Sequence, residues 1–170
     1  MNSSSVDLID RLVLSPDSHL RDLRQARSKV TLATQGSHDA LFAADLSGDL
    51  SVTTRLLVAL YGAGLSRQPQ LVEYYRERLL ALEVPAEQLN AVQQDDLSRI
   101  DDARLRTVLA YTRTLILAPR EGDRAALDGL RAAGLSPLDV VTLGQLIAFI
   151  SYQVRLVAGL AALQATGAAQ

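Results

Sequence analysis

Ser136-Pro137-Leu138-Asp139-Val140-Val141-Thr142-Leu143-Gly144-Gln145-Leu146-Ile147-Ala148-Phe149-Ile150-Ser151-Tyr152-Gln153-Val154-Arg155-Leu156-Val157-Ala158-Gly159-Leu160-Ala161-Ala162-Leu163 is the stretch on which the fold turns. It opens with a helix start signal: serine as cap, proline at the first helical position, an acid at the third. Beyond Asp139 its only charge is Arg155. A bilayer needs about 20 apolar residues, so length alone allows a membrane span. Arg155 well inside the run, with Thr142, Gln145, Ser151, Tyr152 and Gln153, argues against one, since a charge at mid-membrane costs at least ~2.5 kcal/mol. The expectation is a long helix covered by its own domain or by a sister subunit, with Gly144, Ala148 and Gly159 admitting a close neighbour.

The rest of the chain repeats this grammar. Apolar residues recur at spacings of three and four, with no sustained alternation of period two. Short helices are expected over Val6–Leu14 and, after a cap at Asp17 or Ser18, over His19–Ala26, followed by a third over Lys29–Phe42. Ser51 caps a helix whose buried stripe is Leu56, Ala59, Leu60 and Ala63. Pro69 opens another with Val72, Tyr75 and Leu79 on one face, and Pro85 a short one. The polar segment Gln93–Asp101 reads as a connection. Asp102–Leu117 and a helix from Asp123 to a left-handed cap at Gly134 complete the list. The fold class is all-α: a single-domain helical bundle of about seven to nine helices, with residues 1–28 as an N-terminal helical extension, 29–165 as the main domain and 166–170 as a frayed tail.

Composition narrows the chemistry. The 170 residues contain no cysteine, so disulfides, zinc–thiolate centres and redox dithiols are excluded. The net charge is -2, and the arginines are interspersed with acids, which leaves no basic surface for nucleic acid. Only two histidines occur, His19 and His38, far apart and without an acidic cluster at ligand spacing, so no metal or other cofactor is expected. His38 stands beside Asp39, but neighbours in a helix do not share a face, which weighs against a catalytic pair. No secretory signal is visible at Met1-Asn2-Ser3-Ser4-Ser5, so a cytoplasmic location is the expectation.

Three segments carry a resemblance: Ser37-His38-Asp39-Ala40-Leu41-Phe42; Leu50-Ser51-Val52-Thr53-Thr54-Arg55-Leu56-Leu57-Val58-Ala59; and Leu130-Arg131-Ala132-Ala133-Gly134-Leu135-Ser136-Pro137 with Ile147 through Leu160. In order and spacing the chain from about Lys29 onward resembles the alkylhydroperoxidase D-like, carboxymuconolactone decarboxylase superfamily, especially its peroxidase-related branch. The resemblance implies an all-helical fold assembling as dimer, trimer or hexamer. In redox members it also implies a Cys-x-x-Cys-x-x-x-His site opening the second helix of a hairpin, with a glutamate on the first. Counted without gaps, the two thiol positions fall on Gln68 and Leu71, the histidine on Tyr75 and the glutamate near Leu56.

Those four positions and Arg55 are the pocket candidates; none is a confident catalytic residue. Two readings stand side by side. One is a homologue without a thiol redox centre, a binding or assembly partner inactive alone, which pairs with copies of itself or with a cysteine-containing homologous subunit. The other is a non-redox enzyme of the decarboxylase type for a small lactone or carboxylic acid, with Arg55 holding a carboxylate and Tyr75 or a buried Glu73 moving a proton. For Arg55, a structural ion pair with Asp or Glu is the competing expectation.

Overall fold

The computed structural model describes residues 7–167, and among them every regular element is helical. The nine α-helices are α1 (Leu8–Val13), α2 (Leu20–Gln25), α3 (Ser28–Leu41), α4 (Val52–Leu65), α5 (Pro69–Ala81), α6 (Ala86–Gln93), α7 (Ala103–Leu117), α8 (Arg124–Ala132) and α9 (Pro137–Gly167), with single 3-10 turns at Leu97–Arg99 and Pro119–Glu121.

The caps explain where the helices begin. The side chains of Ser51, Asp102 and Asp123 accept the free N–H groups of Thr54, of Arg104 and Leu105, and of Ala126, satisfying donors that a helix start leaves orphaned. At α9 the exchange is reciprocal: Ser136 Oγ accepts from Asp139 N at 3.1 Å, and Asp139 Oδ2 accepts from Ser136 N at 3.0 Å. At the second helix the cap position falls on His19, with no side-chain cap bond, rather than on Asp17 or Ser18; Ser18 Oγ, one residue earlier, accepts from Leu20 N at 3.3 Å.

Helix ends use left-handed residues. Gly134, at φ +83°, closes α8 with Leu135 N donating to Leu130 O. The same wrap closes α4, α5 and α6, but with Arg67 (φ 54°), Glu83 (φ 57°) and Asp95 (φ 57°) in the position glycine favours. There Gln68 N donates to Ala63 O, Val84 N to Leu79 O and Asp96 N to Ala91 O.

α4 is the axle. Every residue from Arg55 to Ala63 is buried, and α5, α6, α7 and α9 pack around it, so the expected stripe of four is part of a helix covered on all sides. The closest approach is set by α4, not α9. A Cβ on Gly62 would stand 3.1 Å from Ile150 Cγ2, whereas nothing lies within 4 Å of a Cβ on Gly144 or Gly159. Among the described residues none therefore packs closely on Gly144 or Gly159.

Two other expectations are revised. The connection 93–101 is partly core, since Ile100 is buried. The tail is helical through Gly167; its remainder, and Val6 at the other end, lie outside the described residues. A clasp joins the ends of the fold: Ser18 Oγ donates to Gln164 Oε1 at 2.5 Å, and Gln164 Nε2 to Ser15 Oγ at 2.9 Å. Beside it Arg24 holds Asp7 and Asp10 of the first helical turn.

Candidate functional site

The five residues singled out from sequence sit in or against the core around α4 and α5. Leu56, Leu71 and Tyr75 are 1%, 0% and 0% exposed, so side chains fill the space between them. Tyr75 packs against Phe42 (tilted) and Tyr74 (edge-on) at centroid distances of 5.5 and 5.0 Å, and its hydroxyl donates to Gln153 Oε1 at 2.5 Å. Burial, aided by the neighbouring Tyr74, pushes the Tyr75 hydroxyl well above its ordinary pKa, against the opposing pull of Arg78 and Gln153. It holds its proton near neutral pH. Gln68, just before α5, is buried with its Oε1 lacking any hydrogen-bond partner among the described residues, which costs about 1–3 kcal/mol.

Arg55 answers neither expectation made for it. It is 1% exposed, and it donates from Nε to Leu50 O at 2.9 Å, from Nη1 to Leu41 O at 2.5 Å and from Nη2 to Ala43 O at 2.9 Å. No carboxylate pairs with it among the described residues. Leu41 ends α3, so the guanidinium caps that helix's open carbonyl end and ties down the loop after it. Burial draws its pKa down. Glu73, supposed buried, is exposed.

A different group of side chains is brought together by α1, α3 and α5. His38 is buried on α3. Its Nδ1 lies 3.1 Å from Asp39 Oδ1 and its Nε2 3.0 Å from the Tyr74 hydroxyl. Burial, opposed chiefly by the hydrogen bond to Asp39, lowers the His38 pKa, and Arg78 and Arg11 push the same way, so the ring is neutral near pH 7. A carboxylate can only accept, which places the single ring proton on Nδ1. Nε2 therefore accepts from the Tyr74 O–H, and Arg78 Nη1 donates to the Tyr74 oxygen at 3.3 Å.

Asp39 is braced in turn by Gln35 Nε2 at 2.8 Å. The result is a chain, Asp39–His38–Tyr74–Arg78, whose logic is that of an oriented base behind a hydroxyl. Sequence reasoning set the His38–Asp39 pair aside because their Cβ directions diverge, yet the two short side chains bend toward each other. It missed Tyr74 and Arg78 altogether, although their i, i+4 spacing was a usable signal. Tyr74 and Arg78 line a cleft of about 650 Å³ together with Arg11 and Leu12 of α1 and Glu73 and Glu77 of α5. Among the described residues no group of three or more His, Cys, Asp or Glu is placed to hold a metal ion.

No protein-family model matches this chain, and no curated protein sequence does. Solved structures do. An uncharacterized peroxidase-related protein from Silicibacter sp. TM1040 superposes with a TM-score of 0.73 at 16% identity, over 79% of this chain and 69% of that one. A second uncharacterized peroxidase-related protein, the alkylhydroperoxidase D core from Ralstonia eutropha JMP134, gives a TM-score of 0.70 at 21% identity, over 79% and 70%. At such identities the likeness is one of fold: the chain has the all-α alkylhydroperoxidase D-like fold, and it has it without a cysteine.

Proposed function

We propose that this chain is a peroxidase-fold homologue without thiol redox chemistry of its own, whose work is assembly: it pairs with a second copy of itself. A cysteine-bearing homologous subunit is the related partner the same surface would accept. The observation that carries this reading is the outer face of α9. The helix has 31 residues and is long and apolar enough to cross a membrane, yet only 28% of its most apolar 18-residue window is buried. Val141, Tyr152 and Leu163 are 56%, 40% and 54% exposed. Along α3 the surface continues through Val30, and a groove lined by Val30, Ala33, Phe149 and Tyr152 runs between the two helices.

Apolar patches of this kind mark contact surfaces. From Val140 to Thr166 the only charge is Arg155, so two copies of this helix meet with little like-charge repulsion. Gly144 and Gly159, which no described residue approaches closely, and the exposed Ala148 suit such a meeting.

The test is the mass of the purified chain by light scattering, at matched concentration, for the unaltered protein and Ala148→Glu. A dimer or larger assembly is expected, reverting to monomer in the variant with helical circular dichroism retained. The oligomer alone is expected to reduce organic hydroperoxides no faster than buffer. A monomer, partition into membranes, or peroxidase turnover removes the proposal.

A non-redox enzyme acting on a small lactone or carboxylic acid is the second reading, favoured by the Asp39–His38–Tyr74 chain and not by Arg55, Tyr75 or Glu73. Turnover found in a panel of such compounds should vanish in His38→Gln; activity that survives this change and Tyr74→Phe discards it.

A further inference from the structure

The cleft between α1 and α5 has features that neither fold nor assembly requires. Glu73 and Glu77 line it beside Arg11 and Arg78, yet neither arginine has a carboxylate within 4.0 Å; both are absent from every ion pair among the described residues. The arginines lie instead against aromatic rings. The Arg78 guanidinium carbon is 5.2 Å from the Phe42 centroid and 5.7 Å from that of Tyr74, and Arg11's is 5.9 Å from Tyr74's. Stacking of this kind fixes a guanidinium while leaving its in-plane N–H groups free. Arg78 spends one of them on the Tyr74 oxygen. The Tyr74 hydroxyl thus stands between Arg78 and a neutral, oriented imidazole, with Arg11 over the ring.

We infer that this cleft binds a small organic monoanion, a planar carboxylate on an apolar body, held by Arg78 and Arg11 and hydrogen-bonded by Tyr74. The guanidinium fork matches a carboxylate in geometry. The face of Tyr74 and the side chain of Leu12 suit an apolar body. Glu73 and Glu77 on the same rim set a limit, because a second negative charge on the ligand would face two carboxylates.

Binding engages His38 as well. When Tyr74 turns its O–H to the carboxylate, Nε2 loses the proton donor it accepted from. Uptake of one proton from solvent lets Nε2 donate to the Tyr74 oxygen, with Asp39 balancing the new charge. The charged groups acting on His38 are Asp39 from its own helix, Arg78 from α5 and Arg11 from α1, and the anion offsets the two arginines. This inference goes beyond the assembly proposal and survives its failure, since the α1–α5 cleft and the α3–α9 groove share no lining residue.

The experiment is an NMR titration of the full chain with benzoate, following the imidazole Cε1–H signals. His19 is the only other histidine and serves as an internal reference. The His38 signal is expected to move along a saturable curve while His19 stays still, and the His38 pKa to rise by on the order of one unit in bound protein. Benzoate should accordingly bind more tightly below pH 6 than at pH 8. Inorganic phosphate and benzamide should bind about tenfold more weakly or not at all.

Arg78→Gln should weaken benzoate by about tenfold or more. Because Arg78 also packs on Phe42, the exposed Arg11→Gln, which removes no buried contact, is the companion variant. A His38 signal indifferent to benzoate, a response shared equally by His19, or full affinity in Arg11→Gln overturns the inference.

Discussion

Replacing Arg55 by leucine lowers the unfolding free energy by about 3–5 kcal/mol, because three buried or half-buried main-chain carbonyls lose their donors together while each such loss costs about 1–3 kcal/mol. For a chain of this length that is a fall in melting temperature of about 10 °C. Urea titration followed by circular dichroism measures it. Lysine restores only part of the loss, since one ammonium cannot reach carbonyls on three sides as a planar fork does. Arg55→Leu falling by less than 1 kcal/mol would mean that water or the loop itself satisfies Leu41 O, Ala43 O and Leu50 O. Peroxide or lactone chemistry is not at issue at this position, because every N–H-bearing atom of the guanidinium already donates inward.

Asp139 carries the second large effect. Its carboxylate, 1% exposed, accepts from Ser136 N at 3.0 Å, from Ser136 Oγ at 2.7 Å and from Asp49 N at 2.7 Å, with Arg104 at 3.7 Å. It starts α9 and pins the loop before α4 to that start. The turn is tight enough that a Cβ on Gly48, at φ +106°, would stand 2.7 Å from Asp139 Oδ1. Asp139→Asn faces part of this donor ring with an NH₂ group and should cost about 2–4 kcal/mol.

Burial by itself would raise the Asp139 pKa; the bonds from Ser136 and Asp49 and the charge of Arg104 outweigh it, and the net direction is downward from 3.8. A carboxyl with a depressed folded pKa contributes stability that is complete above its unfolded pKa and disappears as pH falls through the lower folded value. The wild-type chain should therefore lose stability steeply below about pH 4, and Asp139→Asn should flatten that slope while being weaker at pH 7. A variant whose acid profile parallels the wild type would place the titration elsewhere.

What could be read from sequence was what local rules govern. The caps at Ser51, Asp102, Asp123 and Ser136, the prolines at 69 and 85 and the left-handed Gly134 act over a few residues, and they located the helices. The ends at Arg67, Glu83 and Asp95 follow the same geometry without the residue that signals it, because tertiary packing holds a left-handed backbone that L-residues resist by about 1–2 kcal/mol.

The site failed for the opposite reason: its geometry is non-local. A buried arginine suggests an acid, and nothing in the sequence shows that the open end of α3 will turn three carbonyls toward residue 55. His38 meets Tyr74 across 36 positions, and Glu73 lies on the outer side of a helix whose inner side carries Leu71, Tyr75 and Leu79. The long apolar run is legible as a helix, but how much of its cover this chain supplies depends on where α4 stands, and only 28% of its apolar window is buried here.

The clasp between Ser15, Ser18 and Gln164 bears on how the molecule is made. α1 lies against α5 and, more extensively, against α9, which begins more than a hundred residues further along the sequence, so during synthesis Leu8, Ile9 and Leu14 lack that second cover until α9 is made. The α4–α5 hairpin closes over a short loop and can form early, whereas the N-terminal segment docks last, on a surface that does not exist before α9 is synthesised. Vectorial synthesis thus makes α1 wait for a helix made much later before it is fully fastened.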